Sequence, residues 1–441
     1  MTPRDSDPAE RQPRTGFLLG LYRGLSPALC SATRLAGPLS AKLAEGISGR
    51  RGLMDRLAAG APLVRGGVWF HVTSVGEYEQ ARPIIAALKD RPDPPPIAVT
   101  HFSPSGYEYA RSRPCADLHD YLPFDHPADM ARLMDLWRPR LLVFVKFDCW
   151  PNQVVAATRR NVPVVLVAGS LQPHSARLKP LGRPLFRDVF NRFAHIGVCT
   201  PEDKERFIDG LGVTCPVSVT GDTRVEQVIL RYEAARAGET AARLRELGGR
   251  LLILGSTWPP DEKLWMPVLG KLLDSNLDLR VVLTPHEPTT DRLESLERAL
   301  DRRKIPHRRL SRFMAEARGS GEDARVILTD SIGVLAEIYR AGHLTYVGGS
   351  FTTGVHNTME PAVASMPVMF GPVIHNAEEA GLLVRRGAGF VLEKPDQALA
   401  VAGDLLKDPA RLETLGQTAR QVVLDQRGAT TRSMAMIEPY L

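Results

Sequence analysis

LLVFVKFDCWPNQVVAATRRNVPVVLVAG, residues 141–169, is the stretch that decides the fold. Two apolar, β-branched runs, LLVFVKF (141–147) and VPVVLVAG (162–169), bracket a segment with helical spacing. Neither run alternates between apolar and polar residues. A strand written this way is buried on both faces, as in a parallel sheet covered by helices. The pattern continues outward on both sides. VWFHV (68–72) and PIAVTHF (96–102) precede it; HIGVCT (195–200) and PVSVTG (216–221) follow. Beyond a charged, Ala-rich stretch, RYEAARAGETAARLREL (231–247), a second series begins: LLILGS (251–256), RVVLTPH (280–286), RVILTD (325–330), LTYVGGS (344–350), PVMFGP (367–372) and GFVLE (389–393). Six runs in each half predict two doubly wound α/β domains in tandem. Ligands of such sheets bind at the carboxyl ends of the strands, here expected in a cleft between the domains.

The chain has 441 residues, enough for two or three domains with sizeable cores. The divisions expected are a disordered terminus (1–15), a basic amphipathic segment (16–66), a first Rossmann-like domain (67–232), a linker (233–247), a second Rossmann-like domain (248–425) and a terminal helix returning to the first domain (426–441). At 44% hydrophobic and 24% charged, the chain is neither wholly disordered nor collagenous. No apolar run is long enough to require a membrane-spanning helix. The five cysteines, Cys30, Cys115, Cys149, Cys199 and Cys215, form no Cys-x-x-Cys pair, so neither a zinc site nor a disulfide frame is indicated and a reducing compartment fits.

The net charge is +6, and residues 1–66 carry five of those six positive charges. The remainder is close to neutral, which argues against a nucleic-acid-binding body. A basic start suits an anionic membrane surface. Residues 16–47 are apolar with interspersed Arg and Lys, and Pro27 and Pro38 interrupt them. They read either as two short helices packed on the domain or as a monotopic segment lying in a bilayer interface.

Each half opens with a strand, a turn of small residues and a helix. In the first, HVTSVGEYEQARPIIAAL, Ser74 and Gly76 allow close approach and Glu77 stands at the helix start. Glu77 reads as a simple N-terminal acid or as a general base presented by a strand end. In the second, GSTWPPDE, Ser256 and Thr257 offer hydroxyls before a Pro-started helix, an anion-binding arrangement that is weak by itself. The loop VGGSFTTGVHNTMEPAVASMPVMFGP places Gly348, Gly349, Ser350 and Gly354 before His356, Asn357 and Glu360. Asn357 and Glu360 could be a reciprocal cap. The same residues suit a sugar nucleotide, with phosphate at the helix end and ribose hydroxyls on the carboxylate. Two further strand ends, Thr284-Pro285-His286-Glu287 and Thr329-Asp330-Ser331, point the same way. A Walker phosphate loop, a Gly-x-Gly-x-x-Gly after a strand and a Gly-x-Ser-x-Gly elbow are all absent from the sequence, and no strand run ends in an Asp-x-Asp pair. The reading left is metal-independent group transfer from a nucleotide, with no cofactor.

SVGE (74–77), YLPFD (121–125), CWPN (149–152), VTGDTR (219–224), GST (255–257), PHE (285–287), GGS (348–350), HNTMEPA (356–362) and FGP (370–372) occur here in one order. In that order they resemble the 3-deoxy-D-manno-octulosonic acid (Kdo) transferases of lipopolysaccharide assembly. The resemblance runs through nearly the whole chain after residue 66. It implies a GT-B fold with two Rossmann-like domains facing a central cleft. It also implies an inverting transfer of Kdo from CMP-Kdo to a lipid A precursor, lipid IVA, at the cytoplasmic face of the bacterial inner membrane. Glu77 is then the catalytic base. The donor site is then Ser256, Thr257, His286, Glu287, Ser331, Gly349, Ser350, Asn357 and Glu360, to which the residues' own pattern adds Asp330 and His356. Under this resemblance, residues 16–47 favour the interfacial reading.

One stretch departs from the family. Where many members carry Glu-Thr-Glu-Leu before Trp-Pro, this chain has Lys146-Phe147-Asp148-Cys149. Lys146 and Asp148 therefore join Ser74, Arg177, Lys179 and Arg224 as candidates for holding the acceptor or Kdo. Arg177 and Lys179 belong to a basic cluster with Arg183 and Arg187, which reads equally as a solvated helix face. The rival readings are a UDP-N-acetylglucosamine 2-epimerase on the same fold, which leaves the basic N-terminus unexplained, and a non-catalytic nucleotide-sugar or lipid-binding protein, against which Glu77 stands.

Overall fold

The computed structural model describes residues 15–37, 40–146, 148–234, 238–316, 324–352 and 354–441. The terminus read as disordered lies outside the described residues up to position 14, as do 235–237 of the expected linker. The chain forms two compact units. One runs to Gln227 and includes Gly428–Leu441; the other is Val228–Arg427.

The first unit holds β1 (Val68–Val72), β2 (Ile97–His101), β3 (Leu118–Tyr121), β4 (Leu141–Val145), β5 (Val164–Gly169), β6 (His195–Val198) and β7 (Val217–Val219). They form one sheet in the order β3-β2-β1-β4-β5-β6-β7, every pair parallel. Alternate residues serve two cores. Trp69, Leu142 and Phe144 pack on one face; Val68, Phe70, Leu141 and Val143 pack on the other. A strand with a core on each side has few positions for a polar residue, which is why these runs are mostly apolar and why the buried exceptions, such as His71 and Thr100, are hydrogen-bonded.

The second unit repeats this logic with β8 (Arg250–Thr257), β9 (Leu279–Pro285), β10 (His307–Arg309), β11 (Val326–Leu328), β12 (Leu344–Val347), β13 (Val368–Phe370) and β14 (Gly389–Val391). Their order is β10-β11-β9-β8-β12-β13-β14, again all parallel. Leu252 and Leu254 of β8 face one core and Leu251 and Ile253 another.

Seven strands per sheet correct the six expected from sequence. The two missed strands, β3 (LHDY) and β10 (HRR), are short, polar edge strands. An edge strand packs less apolar surface, so it carries no apolar run to be seen. In each sheet the earlier and later strands meet side by side at one place: between β1 and β4, and between β8 and β12. Open parallel sheets bind ligands outside the carboxyl ends of the strands at such points.

The N-terminal segment also differs from expectation. Pro27 lies inside a single helix, Phe17–Leu35, and does not end it. A proline cannot donate to the carbonyl four residues back; here the Ser26 hydroxyl donates to the Arg23 carbonyl instead, at 3.1 Å. No helix among the described residues is long and apolar enough to cross a membrane. Within 233–247, Glu239–Glu246 is a helix whose Ala241 and Leu244 are buried in the second unit. The last helix, Ala429–Ile437, buries Met436 and Ile437 in the first unit's core.

Candidate functional site

Strand β1 ends at Val72, and the chain turns through Thr73 and Ser74 into the helix Val75–Lys89. Ser74 is the N-cap and accepts from the Glu77 N–H at 3.4 Å. The Glu77 carboxylate reaches back and accepts from the Thr73 N–H at 2.5 Å. The capping geometry is therefore real. Glu77 is only 3% exposed. Burial and the nearby Asp148 charge push its pKa up to about 7, against the lowering pull of the Thr73 N–H and Lys146. Burial would raise a capping carboxylate in the same way; a pKa in this range is also where a general base works best.

Lys146 and Asp148 reach Glu77 because β4 lies beside β1 in the sheet. Lys146 stands just past β4 with a φ of 69°, in the left-handed region. Its N–H donates to Val167 and its carbonyl accepts from Ser170, which pins the turn. Asp148 pairs with Arg177 at 2.9 Å, and Arg177 lies over the Phe186 ring at 5.0 Å. The chain thus brings Glu77, Lys146, Asp148 and Arg177 together at the β1/β4 switch point. Lys179, by contrast, is exposed, as are Arg183 and Arg187. Arg224 is engaged with Asp222 at 2.6 Å; Asp222 accepts from Gln80, and the Thr223 hydroxyl donates to the Gln80 carbonyl at 2.6 Å. VTGDTR therefore holds the helix that carries Glu77.

A buried network below the turn was not singled out from the sequence. The Trp150 indole donates to His71 Nε2 at 2.9 Å, so the proton of a neutral His71 sits on Nδ1, 3.0 Å from the Thr100 hydroxyl. Burial and the Arg50 charge lower the His71 pKa to about 3, so the ring stays neutral. The tryptophan in CWPN was its only sequence signal. Asp125 of YLPFD accepts from the Asn152 and Gln153 N–H groups and from the Tyr22 hydroxyl.

At the β8/β12 switch point the second unit gathers most of the expected donor residues. Ser256 has a φ of 52° within an irregularity of β8. Thr257 departs from the expected role: it is buried and its hydroxyl bonds Glu262 at 3.1 Å, so of the two hydroxyls only Ser256 is partly accessible. Gly348 is required by crowding, since a Cβ there would lie 2.3 Å from the Ser256 carbonyl oxygen. Gly349 has a φ of 96°, and its N–H donates to the buried Asp261 at 3.0 Å. Asp261 also accepts from the Tyr346 hydroxyl and the Trp258 N–H. Ser350 is wholly buried.

His286 and His356 stack face to face with centroids 4.2 Å apart, and Trp258 stacks on His286 at 4.8 Å. The Trp258 indole donates to His356 Nε2 at 2.8 Å. Burial and His286 lower the His356 pKa to about 4, which keeps that ring neutral. Sequence reading took the two histidines separately and missed the tryptophan that joins them. Glu287 and Asn357 are exposed. The helix expected to begin at His356–Asn357 is a single turn, Met359–Val363, and the Asn357 side chain accepts from the Met359 N–H at 3.0 Å. Glu360 faces Tyr339, whose pKa it helps raise, and Tyr339 in turn abuts Gly255 at the end of β8. Asp330 accepts from the Ser311 N–H and hydroxyl, a structural engagement, while Ser331 is exposed. Among the described residues no three His, Cys, Asp or Glu side chains cluster as metal ligands would.

Residues 45–227 match the family model described as 3-deoxy-D-manno-octulosonic-acid transferase. The chain is 29% identical over 380 residues to the 3-deoxy-D-manno-octulosonic acid transferase of Chlamydophila psittaci, covering 85% of each chain. It is 28% identical over 438 residues to the transferase of the same name from Bordetella pertussis, covering 95% of this chain and 97% of that one. A crystal structure of a UDP-N-acetylglucosamine 2-epimerase superposes with a TM-score of 0.62, covering 85% of this chain and 96% of that one. At 14% identity that likeness speaks for the fold alone.

Proposed function

We propose that this chain, which belongs to the Kdo transferase family of glycosyltransferases, moves Kdo from CMP-Kdo onto a lipid A precursor, lipid IVA. The observation that carries the reading is Glu77: a buried carboxylate at the β1/β4 switch point, with its pKa raised to about 7 and Lys146 and Asp148 beside it. Ionised, Glu77 takes the proton of the acceptor hydroxyl. The acceptor oxygen then attacks the anomeric carbon, the bond to the CMP phosphate breaks, and CMP leaves with the bonding pair. One base and one displacement give inversion.

Donor binding falls to the second unit. The Gly348–Gly349 turn allows close approach, Ser256 supplies a hydroxyl, and Glu360 accepts from ribose hydroxyls. The exposed His286 and Asn357 complete the set with Glu287. Leaving-group charge is met by N–H groups and hydroxyls without a metal.

The N-terminal helix Phe17–Leu35 lies on the cytoplasmic face of the inner membrane. It turns Phe17, Leu21, Leu25 and Leu29 outward, each close to or beyond half exposed. An apolar stripe that faces away from the core needs a non-aqueous partner. Incubation with CMP-Kdo and lipid IVA, followed by mass measurement of the lipid, tests the function. A mass gain of one or more Kdo units is expected; release of UDP-ManNAc from UDP-GlcNAc, with no change to the lipid, contradicts it.

A further inference from the structure

A cavity of about 600 Å³ lies in the first unit between the N-terminal helices, Phe17–Leu35 and Ala41–Gly49, and the carboxyl ends of β2 and β4. Its volume falls within the range of small-molecule sites. One wall is the inward face of the first helix, from Tyr22 to Thr33; the opposite wall is Phe102, Pro104 and Phe124. The cavity adjoins the catalytic turn: the Phe102 N–H donates to Val72 and the Ser103 N–H to Thr73, four residues before Glu77.

Most of its polar lining is engaged by the protein itself. The Tyr22 hydroxyl donates to Asp125, and the Ser26 hydroxyl oxygen accepts from Asn152 at 2.9 Å. The Thr33 hydroxyl donates to its own helix, and the Trp150 indole to His71. Arg50 donates to the carbonyls of Gly46, Phe102 and Leu122, and its guanidinium rests 4.7–4.9 Å from the rings of Phe102, Tyr121 and Phe124. With those groups paired, the lining that remains for a guest is mainly apolar, with the Ser40 hydroxyl beside it.

Two features at the mouth name the guest. Leu29 both lines the cavity and is 56% exposed, so the cavity opens onto the outward stripe of Phe17, Leu21 and Leu25. A second concavity of about 370 Å³ shares Arg50 and Phe124 with the first and is lined by Arg34 and Arg51, along with Asp55 and Asp129. An apolar chamber beside a concavity with two further arginines complements an amphiphile with an anionic head. We infer that this cavity receives one acyl chain of the acceptor lipid, so that the chain, and not the sugar alone, sets the acceptor beside Glu77. The inference rests on the lipid-acceptor reading above.

Two variants fill the chamber from different helices. A Cβ at Gly46 would point between Arg50, at 3.4 Å, and Pro104, at 3.7 Å, so Gly46→Leu sends bulk inward; Thr33→Phe does the same from the first helix. For each, kcat/KM is measured with lipid IVA and with its O- and N-deacylated form. In wild type the acylated acceptor is favoured. In both variants the ratio of the two values falls by about tenfold or more, the loss that follows from excluding about two buried methylenes. An unchanged ratio in both overturns the inference. Photo-crosslinking of wild type with a lipid carrying a diazirine near one acyl terminus reads the same site independently of turnover. Labels on Leu29, Thr33, Leu43 or Phe124 support it; labels confined to other surfaces overturn it. If wild type labels at these residues yet transfers Kdo to neither acceptor, the functional reading fails while the acyl site stands.

Discussion

At the β1/β4 switch point the chain brings ionisable side chains together: Glu77, Lys146, Asp148 and Arg177. At the β8/β12 switch point it brings together glycines, a hydroxyl and stacked rings, of which His356 is kept neutral, with the buried Asp261 turned inward on the Gly349 and Trp258 N–H groups. Both points arise in parallel sheets where the first strand of the unit lies beside a later one. The difference lies in what the turns after the strands are asked to do. On the proposed function, one turn moves a proton, so it needs a group that titrates near neutrality. On the same reading the other holds the donor, so it needs close backbone approach.

The largest expected effect breaks the first member of this comparison. Glu77→Gln keeps an oxygen for the Thr73 N–H but cannot take a proton, and kcat should fall by about 10²–10⁴-fold with CMP affinity little changed. Stability should move the other way. A carboxyl with a folded pKa raised to about 7 stabilises the fold below its unfolded value and loses that contribution as pH rises through about 7. At pH 8 the glutamine variant should therefore melt no lower than wild type in a thermal scan.

Two glycines sharpen the contrast between the turns. Gly348→Ala would place a methyl 2.3 Å from a backbone oxygen; a cost of about 1–3 kcal/mol is expected, with weakened CMP binding. For Gly76 the nearest atom to an added Cβ is the Ser74 hydroxyl at 3.9 Å, so the protein itself has room. Gly76→Ala should hold or raise the melting temperature, by up to about 1 kcal/mol in stability. A rise in acceptor KM in that variant would show that the space belongs to substrate. Denaturation and CMP calorimetry on both variants would check the pair.

A smaller effect is expected from Glu360→Ala. If Glu360 accepts from ribose hydroxyls, CMP binding weakens by about tenfold, since charge-assisted bonds contribute roughly 1.5–3 kcal/mol each. Unchanged CMP affinity with a lowered melting temperature would make it a structural acid. Smallest of all, treatment with EDTA should leave transfer at its original rate; loss restored by Mg²⁺ would show that the second unit's site is built for a metal-bridged phosphate.

Strands with a core on each face were legible because double burial leaves an uninterrupted apolar run, as in Leu141–Val145 and Leu251–Leu254. The edge strands β3 and β10 were not, since they pack too little surface to be written in apolar residues. At the sites, Glu77 and the Gly348–Gly349 turn stood out because turn chemistry is local in sequence. The Trp150–His71–Thr100 network and the Trp258–His286–His356 stack did not, because each joins residues from three separate strand ends. Thr257 misled for a related reason: a hydroxyl after a strand says nothing of the carboxylate five residues on that engages it.

The central claim is that Glu77, with a pKa near neutrality, takes the acceptor's proton. The pH dependence of the single-turnover transfer rate, in wild type and Glu77→Gln, tests it most directly. The wild-type rate should be level above about pH 7 and fall close to tenfold per pH unit below it, as the base becomes protonated. The residual rate of Glu77→Gln should show no such limb. A wild-type rate independent of pH from 5 to 9, or the same limb surviving in Glu77→Gln, would contradict the assignment and leave Glu77 as the cap of its helix.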